Sequence, residues 1–302
     1  MMPTPSKPLP MTPATRLLWL LAGLVLLVCN AHAAPFEHGL LWEISRPGIA
    51  PSYLFGTMHI ADPRVLKLPP AVSKAFSNSR TFALELYPDE AVAQRFNEAS
   101  QLENGARLSR LLSPSAYAAL ESRLVQRGLS QERLDRLKPW AALLLATAAA
   151  IDGGESLDIS LYVRARYANM RIEELDSVEE QIAVFDDLPE DTQLALLTVA
   201  LERYDALHDE LEDSIRAYLR RNLAELTTLA RRNAGTSTEE RRHFAVFEKK
   251  IIEDRSVTMA YRLQAHLRRG HTFAAVGALH LYGEKGMLKL LQDDGWQVRR
   301  LY

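Results

Sequence analysis

The stretch YLFGTMH at residues 53–59 returns near the other end of the chain as AAVGALH at residues 274–280. Each copy is a short apolar segment, typical of a buried strand, followed by Gly, two residues and His. Because single short strands are not stable alone, we predict that the two segments pair within one sheet. Gly56 and Gly277 would then permit a close backbone approach, and both histidines would lie beyond the carboxyl ends of neighbouring strands, where α/β sheets bind ligands.

The segments around these two stretches predict the rest of the fold. Strand-like runs occur at LLWEIS (40–45), RTFALELY (80–87), MRIEEL (170–175) and WQVRRL (296–301), and the sequence between residues 90 and 265 is mostly helical in pattern. We therefore predict an α/β (α+β) fold with a mixed sheet from the N- and C-terminal strands and a large, mainly helical middle segment. Residues 34–302 would form a single domain, with a core at 35–90 and 270–302 and a helical insert at 90–265.

Three features of the helical insert lead to specific expectations. Residues 209–232 are strongly charged and helical in pattern, and residues 239–268 predict a long helix. The apolar run WAALLLATAAAI at 140–151 begins after Pro139 and is about a dozen residues long, which favours a buried helix over a membrane span.

The first 33 residues have the pattern of a cleavable signal peptide. Lys7 and Arg16 precede an unbroken apolar run from Leu17 to Val28, and Ala31 and Ala33 are the small residues that a signal peptidase requires. We expect cleavage after Ala33 and a periplasmic or secreted protein without a stable membrane span. An uncleaved N-terminal anchor is the alternative.

Composition restricts the kinds of partner and chemistry. The 302 residues carry a formal net charge of −2, so no basic excess indicates nucleic acid binding. The single cysteine, Cys29, lies in the predicted signal peptide. After cleavage the chain would contain neither a Cys nucleophile nor a thiolate metal site.

Glu85 adds a carboxylate to the two histidines. It lies in the mostly apolar segment FALEL at 82–86, and a buried carboxylate is costly unless charge, hydrogen bonds or metal compensate it. His59, His280 and Glu85 form a three-ligand set for a divalent metal such as manganese, cobalt or zinc, with one coordination position open. The remaining histidines stand in charged or terminal contexts and are expected at the surface: His38, His208, His243, His266 and His271.

In this order the motifs resemble the TraB/GumN family, which includes the Tiki proteases and is related to the erythromycin-esterase and haem-binding-lipoprotein superfamily. The resemblance covers nearly the whole mature chain. It rests on LFGTMH (54–59), LPPAV (68–72), ALEL (83–86), LKPWAA (137–142), SLDISLY (156–162) and VGALHLYGEKGMLKLLQDDGW (276–296). There are two departures: Leu175-Asp176-Ser177 replaces the family's Leu-Glu-Thr, and Asp254-Arg255-Ser256 replaces Glu-Arg-Asn.

The resemblance implies a metal-dependent hydrolase acting on a small-molecule or peptide substrate. It also assigns roles by position. Arg255 would orient a carboxylate or stabilise an oxyanion, and Asp158 and Asp176 would accept the distal N–H of a ligand histidine. In this scheme the catalytic residues are Glu85, Arg255 and Asp176. The cofactor-binding residues are Gly56, Gly277 and Asp158.

Two alternatives remain open at this stage. A non-catalytic periplasmic binding protein of the same fold would use the same histidines to hold a metal, haem or small ligand. An interaction module would instead contact a partner through the charged residues 209–232.

Overall fold

The computed structural model describes residues 36–149, 154–232 and 235–302. Residues 36–302 belong to one compact unit. The predicted signal peptide, with its cleavage position, lies outside the described residues. None of the described helices is both long enough and apolar enough to cross a membrane.

One six-stranded mixed sheet carries the fold, which confirms the predicted α/β class. In chain order its strands are β1 (Leu41–Ser45), β2 (Ser52–Thr57), β3 (Thr81–Leu84), β4 (Arg171–Glu174), β5 (Thr272–Gly277) and β6 (Gln297–Arg300). They are arranged across the sheet as β4-β3-β5-β2-β1-β6. β2, β5, β3 and β4 run parallel to one another, and β1 is antiparallel to both β2 and β6.

The predicted pairing of the two glycine-containing strands is the central feature of this sheet. β2 and β5 are parallel neighbours, with Gly56 opposite Val276 and Thr57 opposite Gly277. Both strands are almost fully buried, as expected for parallel strands with helices on their faces. Because the strands are parallel and in register, their carboxyl ends, and the histidines beyond them, lie at the same edge.

The helices of the described residues pack around this sheet and form a second layer next to it. In chain order they are α1 (Pro63–Leu66), α2 (Pro70–Ser77), α3 (Glu90–Ala99), α4 (Leu108–Leu111), α5 (Pro114–Val125), α6 (Gln131–Asp135), α7 (Pro139–Ala149), α8 (Leu157–Tyr167), α9 (Val178–Asp186), α10 (Glu190–Glu202), α11 (Leu207–Leu219), α12 (Leu223–Arg232), α13 (Thr238–Glu248), α14 (Arg255–Arg269) and α15 (Met287–Asp293). Short 3₁₀ turns lie at Tyr204–Ala206 and Ala278–His280, and a π-helical turn at Lys249–Asp254 joins α13 to α14.

The buried apolar residues form two clusters. The larger one lies on the sheet and includes Phe82 and Phe273, whose rings stack 6.3 Å apart. The smaller one lies within the helical segment around Trp140, which stacks on Phe185. Trp140 follows Pro139 at the start of α7, so the LKPWAA segment anchors the helical layer.

The charged residues 209–232 are helical, as predicted. They form two helices, because Arg221 adopts a left-handed φ of 61° and the Asn222 side chain caps α12 by accepting from the Glu225 amide. One expectation about the helices was wrong in detail. The predicted long helix 239–268 changes to π-helical geometry at Lys249–Asp254 before continuing as α14. Such π-helical turns are rare and occur frequently at functional sites.

Candidate functional site

The predicted site residues lie just beyond the ends of four parallel strands. Glu85 follows β3, His280 follows β5, His59 follows β2 and Asp176 follows β4. The sheet order places these ends side by side. This edge is where open α/β sheets form ligand sites, so the sequence prediction of a shared location agrees with the geometry.

His280 is the buried member of the pair. His280 is 4% exposed. Its Nδ1 lies 2.9 Å from Ser256 Oγ and 3.2 Å from the Ile252 carbonyl oxygen. Ser256 donates its own hydroxyl proton to the same carbonyl, so its oxygen accepts from His280. This network assigns the imidazole proton to Nδ1 and leaves a lone pair on Nε2.

The environment keeps His280 uncharged at neutral pH. Burial lowers its pKa to about 4, against the opposing effect of the Glu85 carboxylate, and the Arg255 cation contributes in the same direction as burial. A neutral imidazole with its lone pair on Nε2 is the form that binds a metal ion or accepts a proton.

His59 has the opposite environment. Its side chain is 61% exposed, and its Nδ1 lies 2.7 Å from Asp158 Oδ2, while Thr57 donates to the other oxygen of Asp158. Desolvation lowers the pKa of His59, but the Asp158 carboxylate outweighs it and raises the pKa to about 9. Asp158 therefore holds Nδ1 in the way expected for a carboxylate behind a ligand histidine.

Glu85 lies between the two rings. Its Oε1 is 3.9 Å from His59 Nε2 and 3.9 Å from His280 Nε2, and it also accepts from the Gly277 amide at 2.6 Å. Its Oε2 accepts from Arg255 Nη2 at 2.6 Å. Desolvation raises the pKa of Glu85, but the surrounding cations, led by His280 and Arg255, lower it to about 2. Since His280 is neutral above its own pKa, Arg255 and the protonated His59 are the cations that keep Glu85 ionised at neutral pH.

Arg255 links Glu85 to further charged residues away from the histidines. Its Nε donates to Asp176 Oδ2 at 2.8 Å, and Asp176 lies 3.8 Å from Arg262. Arg262 forms a two-pronged pair with Glu180, and this pairing lowers the pKa of Glu180 to about 2. Asp176 therefore supports the arginine, whereas the sequence had placed it beside a ligand histidine.

The two glycines that begin the repeated motif have different surroundings. A Cβ on Gly277 would lie 3.3 Å from Glu85 Oε1 and 3.5 Å from His59 Nε2, so this glycine keeps open the space between the donor atoms. A Cβ on Gly56 would lie 2.7 Å from the Leu281 side chain and 3.2 Å from the backbone of Ala278. Gly56 therefore permits close packing of β2 against the second motif, and Gly277 is the one that borders the site.

The donor atoms suit a divalent ion in chemistry, although their present spacing is wide. Both Nε2 atoms lack a hydrogen-bond partner in the described part of the chain, and the carboxylate they face is ionised. Across the ranges that the structure describes, however, no group of three or more His, Cys, Asp or Glu side chains is arranged to hold a metal as it stands. Ligands of a tetrahedral ion at about 2.1 Å lie roughly 3.4 Å apart, so the 3.9 Å separations exceed that by a few tenths of an ångström.

A pocket of about 270 Å³ gives access to this arrangement. Its lining combines the site residues with apolar side chains from α11, α12 and the π-helical turn. The lining residues are Thr57, Met58, His59, Ser214, Tyr218, Leu226, Ala230, Ile251, Ile252, Arg255, Gly277, Ala278, Leu279 and His280.

Sequence reasoning missed several residues of the site. Ser256 had been noted only as a departure from a family pattern, and nothing in the sequence linked it to His280. Tyr218, in the predicted charged helix, is buried and donates to the Gly56 carbonyl at 2.9 Å. The helical spacing of Leu211, Ser214 and Tyr218, which places them on one face of α11, was the signal that could have identified Tyr218 as buried.

The prediction that the other histidines lie at the surface was wrong for two of them. His243 is 6% exposed and pairs with Thr192 Oγ1 at 2.9 Å, and His266 is 8% exposed. Both sit on the inward face of an amphipathic helix, where charged neighbours in sequence point the other way.

The chain is similar in sequence to a protein family and to a curated relative. The profile of the TraB/PrgY/gumN family matches residues 40–300. A metalloprotease named TIKI2 from Danio rerio is 27% identical, over 86% of this chain. The chain spans 60% of the length of that relative. No solved structure matches the chain.

The family profile extends from the first strand of the sheet to the last, and so includes both G-x-x-H segments and the helices between them. Its extent confirms the resemblance predicted from the motifs. The chain belongs to the TraB/PrgY/gumN family.

Proposed function

We propose that this chain is an exported, metal-dependent hydrolase that cleaves peptide bonds. One observation carries the proposal: two histidines from separate strands direct their Nε2 atoms at the same oxygen of the ionised Glu85. The name of the TIKI2 relative, a metalloprotease, supports this assignment. Export rests on the sequence pattern of residues 1–33.

His59, Glu85 and His280 would hold the ion, with manganese, cobalt and zinc as candidates for this mixed donor set. When bound, the ion would supply Lewis-acid activation of a water molecule. Glu85 and His280 are buried, whereas the His59 side chain is exposed. His59 therefore has room to move toward the ion.

The remaining residues act on these three. Ser256 and the Ile252 carbonyl hold His280 in the tautomer that presents Nε2, and Asp158 does the same for His59. Arg255 keeps Glu85 ionised and fixes its orientation. Arg255 lines the pocket, and its Nη1 group makes no hydrogen bond to any described residue. This group would stabilise negative charge on a substrate oxygen.

A non-catalytic binding protein is the second candidate, and one observation favours it. Both oxygens of Glu85 are already bonded, to the Gly277 amide and to Arg255, so neither is available as a general base without rearrangement. A protein that only holds an ion does not need such a base.

Hydrolysis of a fluorescently labelled unfolded protein such as casein tests the proposal. Protein spanning residues 34–302 would be stripped of metal and assayed after addition of manganese, cobalt or zinc. We expect activity with at least one ion, and a loss of about 100-fold or more in Glu85→Gln, because loss of a ligand to the ion should cost at least as much as loss of an outer partner, about 10–100-fold. Glu98→Gln, at an exposed position on α3, is the matched control and should retain activity.

Two results would contradict the hydrolase. Hydrolysis that survives a chelator, or that survives Glu85→Gln, would place the activity elsewhere. Stoichiometric metal binding without hydrolysis of any tested polypeptide would favour the binding protein. Export is tested separately, by mass spectrometry of the N-terminus after expression with the full sequence, for which we expect cleavage after Ala33.

A further inference from the structure

A second pocket, of about 390 Å³, opens between the helices of the middle segment. Its walls come from α7, α10, α11, α12 and α13 and are mostly apolar. The lining residues are Leu143, Leu144, Thr147, Leu196, Val199, Ala200, Arg203, Leu207, Glu210, Leu211, Ser214, Ala230, Phe244 and Phe247.

This apolar pocket adjoins the site pocket. Ser214 on α11 and Ala230 on α12 line both of them. A ligand that reaches the histidines therefore has the apolar pocket beside it.

The walls of the apolar pocket are incompletely covered by the protein itself. Leu143, Leu144, Phe244 and Phe247 are all half-buried rather than buried. Concave surfaces of this size that are lined by apolar and aromatic side chains are the usual binding sites for apolar groups. Since the wall side chains remain partly in contact with water, an apolar ligand group would remove them from it.

The polar groups of the pocket favour a peptide as the ligand. Arg203 and Glu210 form an ion pair there, so the two charges largely cancel and the pocket does not select for a charged group. The pair offers both donor and acceptor atoms, and these match the C=O and N–H groups of a peptide backbone. A plain acyl chain has neither.

We propose that this pocket is a specificity subsite that takes a bulky apolar side chain, of leucine or phenylalanine size, from a peptide substrate. The proposal rests on the proposed peptidase function, and it names the residue class that the enzyme would prefer near the cleaved bond.

Ligand binding, measured without catalysis, tests the subsite separately from the hydrolase. The probe is anilinonaphthalenesulfonate (ANS), a dye that fluoresces in apolar pockets. Competitors are capped alanine pentapeptides with a central phenylalanine, leucine or aspartate. We expect the phenylalanine and leucine peptides to displace ANS from metal-free protein of residues 34–302, and the aspartate peptide to displace at least tenfold less.

Two variants change the pocket and two leave it intact. Ala200→Trp fills it and Leu143→Gln makes it polar, so each should weaken ANS and peptide binding about tenfold or more. Ala118→Trp, at an exposed position on α5, and Leu145→Gln, at an exposed position on α7, should bind as the wild type does. Circular dichroism and thermal unfolding of every variant verify the fold, and the polar variant keeps the test valid if the tryptophan variant does not fold.

The outcomes separate the subsite from the activity. If peptide binding is unchanged in both folded pocket variants, the subsite is refuted even if the protein proves to be a hydrolase. Displacement by decanoate but not by any peptide would identify a lipid pocket and overturn the proposal. Loss of ANS binding on dimerisation, seen by sedimentation at rising protein concentration, would assign the surface to a second copy of the chain and also overturn it.

Discussion

The two G-x-x-H segments have the same spacing and opposite surroundings. His280 is 4% exposed and is held by a hydroxyl and a carbonyl, whereas the side chain of His59 is 61% exposed and is held by a carboxylate. The pKa of the first falls to about 4 and that of the second rises to about 9. The repeated strand and glycine place the two histidines in equivalent positions. The protonation state of each histidine depends on the helix that packs against it.

The two segments nevertheless have one result in common. In both cases a partner engages Nδ1, so Nε2 is the atom directed at Glu85. Different neighbours thus produce the same orientation. The comparison leads to four predictions, from the largest expected effect to the smallest, with stability measured on the metal-free protein.

Glu85→Gln should cost the most stability. The substitution removes the charge that both histidines and Arg255 face, and breaking a buried ion pair on one side costs about 3–5 kcal/mol. Urea unfolding at pH 7 measures the loss. Glu212→Gln, which breaks the exposed pair with Arg64, should change the urea midpoint little. Equal losses of unfolding free energy in the two variants would show that Glu85 is not a buried, ion-paired carboxylate.

His280→Ala and His59→Ala should differ clearly in stability. Loss of His280 leaves a cavity and removes the buried hydrogen bond to Ser256 Oγ, which costs about 1–3 kcal/mol. Loss of the exposed His59 should cost less, about 1 kcal/mol or below, because solvent screens its ion pair with Asp158. The same urea measurement applies, and a larger loss for His59→Ala would reverse the comparison.

The two glycines should also separate stability from binding. Gly56→Ala forces its Cβ against Ala278 and Leu281 and should cost about 1 kcal/mol or more in unfolding free energy. Gly277→Ala should leave stability nearly unchanged, because its nearest contacts are 3.3–3.5 Å away, yet it should weaken metal binding by occupying the space between the donors. If Gly277→Ala binds metal normally, the ion does not lie in that space.

The pH dependence of stability should have two limbs, one from each histidine. The folded pKa of His280 lies below its ordinary 6.5, so its contribution is present above pH 6.5 and is lost as the pH falls toward 4. The folded pKa of His59 lies above 6.5, so its contribution is present below pH 6.5 and is lost as the pH rises through 9. His280→Gln should flatten the acid limb of the melting temperature and His59→Gln the alkaline limb. An exchange of these two effects would contradict the assigned environments.

Much of the fold could be predicted from the sequence because it depends on short-range pattern. Apolar runs that end in glycine predicted β2 and β5, and the instability of isolated strands predicted that the chain ends pair. The left-handed residue Arg221 and the π-helical turn before Arg255 could not be predicted, since each makes a tertiary contact. The Arg221 carbonyl accepts from the Gly39 amide, and the Ile252 carbonyl of the turn accepts from His280.

The site could be predicted only in part, for a similar reason. His59, His280 and Glu85 stand out because each follows a strand and is chemically unusual in its context. Ser256 is an ordinary helix residue, and only the packing of α14 against the second motif reveals its bond to His280. The partner of Asp176 is Arg255, which lies 79 residues away in sequence. Because a contact of that range leaves no local pattern, Asp176 was wrongly predicted to pair with a histidine.

Metal content tests the central claim, that the two motifs share one ion-binding site around Glu85. Protein of residues 34–302 would be loaded with manganese, cobalt or zinc, passed through a desalting column and analysed by elemental mass spectrometry. His59→Ala and His280→Ala would be measured alongside it, with His208→Ala, an exposed histidine on α11, as the control. We predict one equivalent of metal in the wild type and the control, and a loss of metal in both site variants. Equal metal content in all four proteins, or no metal in the wild type, would contradict the shared site.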